Sequence, residues 1–165
     1  MIPAIKKRHS IRQYKKKEVP EEMVKDILKA GMFAPSAKNQ RSWEFIIVKD
    51  TKKLVPLTIW TLPLKTAPLA IVVIADKNKS SHWVEDCSAA VENMMLQATE
   101  IGLGTCWVQI HSSSTKNAEA NIKKMLGIPG NYGVLCMMAL GFPDVKKAGH
   151  SEEEFEKFRI HDEKF

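Results

Sequence analysis

The spacing of apolar residues changes period several times along the chain, and each change predicts an element. Residues 2–7 suit a short helix with Pro3 in its first turn. A second helix starts near Pro20, where Glu21 and Glu22 favour its positive end. Met23, Val24, Ile27, Leu28 and Gly31 follow at helical spacing, and Pro35 stops it. Residues 44–48 read as a strand, followed by a Lys-rich helix or turn up to Pro56. Residues 69–74 are continuously apolar and largely β-branched, the pattern of a strand buried on both faces. The longest helix is marked by the stripe Val84, Cys87, Val91, Met94, Met95, Ala98 and Ile101, and Gly102 and Gly104 end it. Then come a strand at 105–110, a helix at 115–126 closed by Gly127, and a buried strand at 134–140 broken by Gly141 and Pro143. The last 22 residues are polar but carry Phe155, Phe158 and Phe165. Such a tail cannot form a core of its own, so it is expected to dock on a surface, that of another subunit being one candidate.

These elements run from end to end without a linker or repeat, and 165 residues is the length of one domain. We therefore expect a single domain over residues 1–165, burying roughly 68–70% of its unfolded surface. The net charge of +6 is placed unevenly. Residues 1–20 hold Lys6, Lys7, Arg8, Arg12, Lys15, Lys16 and Lys17 against Glu18 alone, and the rest of the chain is balanced. This excludes a surface coated all over in positive charge for long nucleic acid. It leaves a basic arm for a polyanion or a local pocket for a small anion. Only four arginines occur, Arg8, Arg12, Arg41 and Arg159, beside 21 lysines. Two of them lie within one five-residue stretch, and a guanidinium fork can hold phosphate in a bidentate way that an ammonium cannot.

Cys87, Cys106 and Cys136 are odd in number, widely spaced and set among apolar residues, and no CxxC or HxxxH spacing occurs. Neither a disulfide framework nor a zinc site is expected, and a reducing compartment fits better. The longest apolar run, 67–75, is about half of a membrane span. The first residues lack the apolar stretch of a signal peptide. The expectation is a cytoplasmic protein with no membrane partner.

Four segments carry candidate chemistry. Arg8-His9-Ser10-Ile11-Arg12 sets two guanidiniums, an imidazole and a hydroxyl just after a short helix, a donor set for phosphate oxygens; a solvated basic terminus is the plain alternative. Ala34-Pro35-Ser36-Ala37-Lys38-Asn39-Gln40-Arg41-Ser42-Trp43-Glu44-Phe45 lies between a helix and a strand. Trp43 and Phe45 anchor the strand in the core, which leaves the polar group Ser36, Asn39, Gln40 and Arg41 to be accounted for. The GxG at Gly102 and Gly104 is not a dinucleotide fingerprint, since that motif needs strand, glycines, then helix, and here a helix precedes and a strand follows. What remains is a sharp turn whose strand offers backbone N–H groups to a ligand. Cys106 reads as a small core residue rather than a nucleophile. Lys146 and Lys147, after Gly141-Phe142-Pro143, either add charge to an anion site or only aid solubility.

In this order and spacing the segments resemble the FMN-dependent nitroreductase family, in its short members. The resemblance rests on Arg8-His9-Ser10-Ile11-Arg12, on residues 34–45, on Asp86 with residues 90–93, on Ile101-Gly102-Leu103-Gly104-Thr105-Cys106-Trp107, and on Leu126-Gly127-Ile128-Pro129 and Leu140-Gly141-Phe142-Pro143. It implies an α+β fold: a mostly antiparallel central sheet flanked by helices, in an interlocked homodimer with exchanged tails. It also implies FMN as cofactor. Arg8, Ser10 and Arg12 would contact its phosphate and polar edge, with His9 contributing mainly from its backbone. Pro35, Ser36 and Asn39 would approach from the other subunit. Trp107 to Ile110 would pass the ring system, with a backbone N–H around Gln109 turned to it.

Two departures from the family pattern stand out. Arg41 and Ser42 replace the usual Gln-Pro, and an extra cation at 41 would grip phosphate or select an anionic substrate. The tail carries Glu152-Glu153-Glu154 where short relatives tend to have Lys or Arg, which leaves the phosphate role to Lys146 or Lys147, with Lys147 taken as the candidate. The implied activity is an oxidoreductase taking hydride from NADH or NADPH and reducing a second small molecule, a nitroaromatic or quinone, by a ping-pong mechanism, with no obligatory side-chain acid or base. A flavin-binding sensor or storage protein is the alternative from another class. A nucleic-acid arm is disfavoured by the absence of any reader motif.

Overall fold

Four antiparallel strands form the centre of the molecule, described over residues 1–165 by a computed structural model. They are β1 (Trp43–Val48), β2 (Leu69–Asp76), β3 (Gly104–Gln109) and β4 (Tyr132–Gly141), ordered β1-β2-β4-β3. β2 and β4 occupy the middle and are buried almost throughout, which is why both read as continuous apolar runs. Alternation along β2 then assigns the two faces. Leu69, Ile71, Val73 and Ala75 join one core cluster, and Ala70, Val72 and Ile74 join the other.

Helices α2 (Glu21–Met32) and α4 (Trp83–Glu100) cover the first face. The α4 stripe of Cys87, Ala90, Val91, Met94, Met95 and Ala98 meets Val24 and Ile27 of α2 in that core. The second face is closed by the short helix α3 (Leu62–Thr66), by α5 (Ala118–Leu126) and by Ile11 and Tyr14 of the N-terminal segment. The first helix, α1 (Pro3–Lys7), starts at the expected proline.

Most boundaries match the apolar pattern, and the exceptions have local causes. α5 begins at Ala118 rather than 115, because Asn117 sits at φ 60° and a turn in which Ser113 Oγ accepts the Thr115 N–H precedes it. The Lys-rich segment is two 3-10 turns, Thr51–Lys53 and Val55–Leu57. α3 escapes the pattern altogether, since five residues show no helical period.

Register slips between Val73 and Ile74, which pair with Cys136 and Val134, so Leu135 is the extra residue of a β-bulge. Its carbonyl accepts the N–H groups of both Ile110 (3.2 Å) and His111 (2.9 Å), and β3 ends there.

The tail divides at Ser151. Residues 148–150 dock on the N-terminal segment of the same chain, where His150 N–H donates to the Lys6 carbonyl at 2.8 Å. Beyond it every residue is exposed, including Phe155, Phe158, Ile160 and Phe165.

Candidate functional site

β3 lies at the edge of the sheet, and how that edge is used shapes the site. Residues 8–12 run along its first half: Ser10 bridges Thr105 in parallel, and Ile11 N–H donates to the Thr105 carbonyl at 2.8 Å. Close approach here needs Gly104, where a Cβ would lie 2.7 Å from Ile11 Cγ1. Tyr14 fastens the same segment to β4. Its hydroxyl donates to the Ile11 carbonyl (2.6 Å) and also lies 3.3 Å from the Ala139 carbonyl, and burial raises its pKa.

Backbone groups of a strand alternate sides. With the Thr105 carbonyl turned outward, the N–H groups of Trp107 and Gln109 point outward too, beyond the reach of residues 8–12. They border a groove of about 410 Å³ between this free edge and residues 59–63. Arg12 supplies its positive charge, while Trp60, Leu62, Pro63, Trp107 and Val108 give apolar walls. The volume and lining are those of a small-molecule site. Ile59, Trp60 and Leu62 remain exposed, with Ile59 N–H donating to Thr115 Oγ1 at 3.3 Å.

The Gln109 side chain is committed elsewhere. Its amide accepts from Trp107 Nε1 and donates to the His111 carbonyl, both at 2.5 Å, so Gln109 offers the groove its main chain. Cys106 also lines the groove but belongs to the second core. Burial pushes its thiol up, and the positive charges of Arg12 and Lys147 partly oppose that shift. A thiol so raised makes a poor nucleophile.

The other expected residues divide. Arg12, Trp107 and Gln109 meet in the groove. Ser10 lies next to it through its bridge to Thr105. Arg8 stands apart, its Nε 3.9 Å from a Glu92 carboxylate oxygen on α4. His9 and Lys147 line a smaller hollow of about 200 Å³ with Lys7 and Gly102. The His9 ring is turned to the tail, its Nε2–H donating to the Ala148 carbonyl at 2.5 Å. Ile110 falls outside the site. It is buried in the second core, and its N–H is spent on the Leu135 carbonyl. Further along the basic segment, the exposed Lys17 places its Nζ 4.2 Å above the Phe142 ring.

Pro35, Ser36, Asn39 and Arg41 do not line this groove within one chain. They belong to a loop held by Asp86, a buried residue in the first turn of α4. Its carboxylate accepts from Ala37 N–H (2.7 Å) and Ser80 Oγ (2.8 Å). Lys38, Asn39 and Arg41 all have φ between 48° and 56°, an uncommon backbone state for residues with a Cβ. Inside the loop, Arg41 N–H donates to Ser36 Oγ (3.0 Å) and Arg41 Nε to Asn39 Oδ1 (2.9 Å). The guanidinium has no acidic partner.

Sequence reasoning assigned no site role to three contributors. Tyr14 gives no signal beside its basic neighbours. Asp86 stood out only through the resemblance. Residues 59–63 could have been found from the run Ile59-Trp60-Thr61-Leu62, which is apolar without a period and so suggests an exposed patch.

Comparison with known proteins agrees with this architecture. The description of the nitroreductase family matches residues 5–62 and 57–142. A solved FMN-dependent nitroreductase from Clostridium difficile R20291 is 41% identical, each chain covering 100% of the other, at a TM-score of 0.94. A protein of Archaeoglobus fulgidus, provisionally named an NADH dehydrogenase/NAD(P)H nitroreductase, is 38% identical over 96% of this chain and 94% of its own length. A nitroreductase with bound FMN from Bacteroides fragilis NCTC 9343 is 26% identical, covering 94% of this chain and 96% of that one at a TM-score of 0.73. The matched residues take in the Arg8–Arg12 segment, the Asp86-held loop and the free edge of β3, and the chain belongs to the nitroreductase family.

Proposed function

We propose that this chain is an FMN-dependent oxidoreductase that takes hydride from NADH or NADPH and reduces a second small molecule, a nitroaromatic or a quinone, in a ping-pong cycle. The observation that carries this reading is the groove where Arg12, an apolar wall and the outward N–H groups of Trp107 and Gln109 meet. The residues suit the cofactor: a flat heteroaromatic ring needs apolar walls and edge-on donors, and its phosphate needs cations. Thr105, next to Ser10, also keeps a buried hydroxyl without a partner.

In this assignment Arg8, Ser10, Arg12 and Lys147 hold the phosphate and polar edge, and the backbone of Trp107 and Gln109 lines the ring. When bound, FMN supplies the hydride chemistry, and the protein supplies binding, orientation and electrostatics. Arg12 would supply the fixed positive charge that stabilises added electron density on the bound cofactor. No side chain is required as acid or base. One groove admitting donor and acceptor in turn gives ping-pong kinetics.

The site is completed in a homodimer. Pro35, Ser36, Asn39 and Arg41 lie away from the groove of their own chain and are assigned to that of the second copy. The exposed Phe155, Phe158, Ile160 and Phe165 of the tail supply apolar surface for the exchange.

The test is spectroscopic. Purified protein titrated with FMN should bind it, be bleached by NAD(P)H and recover its colour with a quinone or nitroaromatic. Binding without turnover would favour a flavin store or sensor. Failure to bind FMN would refute the proposal.

A further inference from the structure

His9 and His150 form a reciprocal clasp between the N-terminal segment and the tail. His9 Nε2 meets the Ala148 carbonyl at 2.5 Å, and His150 Nε2 meets the Arg8 carbonyl at 3.1 Å. The two rings stack with centroids 4.4 Å apart. The His150 main chain adds its bond to the Lys6 carbonyl. On the other side of its ring, His150 Nδ1 lies 2.7 Å from Glu154 Oε2, and Ser151 and Glu154 close a capping box that fixes that carboxylate.

Both nitrogens of His150 therefore face groups that only accept, a carbonyl and a carboxylate. A neutral imidazole has one N–H and leaves one acceptor unmet, whereas the imidazolium satisfies both. We propose that His150, as an imidazolium, is a positioning residue that locks the tail onto residues 6–9 and so holds the main chain of the Arg8–Ser10 segment in place for anion binding. This rests on the FMN reading above for the identity of the anion, though the clasp itself does not.

The surrounding charges agree with the sign. Glu154 favours the charged ring, and Arg8 opposes it, with Glu92 beyond Arg8 on α4. His9 stacks on the ring with its Nε2–H turned to Ala148, and Lys6 approaches through its carbonyl and the aliphatic Cγ beside Gly149. Lys7 and Lys147 line the neighbouring hollow. The hydrogen bonds to Glu154 and to the Arg8 carbonyl raise the His150 pKa above its ordinary 6.5. A raised value means that the imidazolium's contribution to the clasp is fully present below pH 6.5, as long as Glu154 stays ionised, and is lost as pH climbs through the higher folded value.

The test compares the full-length protein with His150→Gln and Glu154→Gln at pH 6.0 and pH 9.0. Hydrogen exchange of the His150 amide in cofactor-free protein reads the clasp. Its protection factor should fall several-fold between the two pH values in the native protein, and be low at both in His150→Gln. FMN affinity reads the consequence: His150→Gln should bind several-fold more weakly at pH 6.0 and match the native protein at pH 9.0, with Glu154→Gln in between. Because FMN titrates in the same way against all three proteins, only the difference counts. An equal loss of affinity at both pH values, or a protection factor independent of His150, would overturn the proposal. If none of the proteins binds FMN, the functional assignment fails, and exchange alone decides the clasp.

Discussion

The Asp86 carboxylate accepts the Ala37 amide at 2.7 Å, tying the first turn of α4 to a loop whose backbone is costly to hold. With Lys38, Asn39 and Arg41 all at positive φ, the loop keeps its shape only because such bonds outweigh the strain. Asp86→Ala leaves both Ala37 N–H and Ser80 Oγ–H unmet and should cost about 2–3 kcal/mol in urea denaturation. Asp86→Asn, which still offers an oxygen to Ala37, should cost roughly half of that.

Ser42 predicts a change in the opposite direction. It is 1% exposed and its hydroxyl has no partner. Ser42→Ala removes a buried polar group at no loss of a hydrogen bond, so stability should stay level or rise by up to about 1 kcal/mol. A loss above that size in thermal melts would show that the hydroxyl is satisfied in solution.

At Gly104 the constraint is steric. Ile11 is β-branched and stiff, so it cannot swing aside from a new Cβ at 2.7 Å. Gly104→Ala should cost about 1–3 kcal/mol and push residues 10–12 off β3, weakening FMN binding as well.

The basic N-terminus should divide in function. Arg8→Ala and Arg12→Ala should each raise the FMN dissociation constant about tenfold, roughly 1.4 kcal/mol of lost phosphate or ring contact. Changing Lys15, Lys16 and Lys17 together to Gln should leave it nearly unchanged. Loss of the Lys17–Phe142 contact would instead appear as about 0.5–1 kcal/mol of stability. Equal effects on affinity would undo the division.

All three thiols are free, and burial raises each of them, Cys87 to about 12. At pH 8 a thiol-reactive dye should label none of them in the native protein within minutes, and all three in urea. Rapid native labelling at Cys106 would show that the groove opens further than its burial allows.

The amino-acid pattern alone determined the strands and the long helices, because β2 and β4 are short continuous apolar runs bounded by proline or glycine, while α4 carries an apolar stripe at helical spacing. It also identified Arg8-His9-Ser10-Ile11-Arg12 as a donor set and the family through the order of its motifs. It could not show that Arg12 meets Trp107 and Gln109 while Arg8 turns to Glu92, for that depends on residues 8–12 lying along the edge of a strand over 90 positions away. Nor could it find Ile110 spent on the Leu135 bulge or His150 against Arg8. Periodicity is local and reports which face of an element is buried. Which backbone groups stay unpaired, and which distant side chains meet there, is decided only when the sheet closes and its last edge is left open.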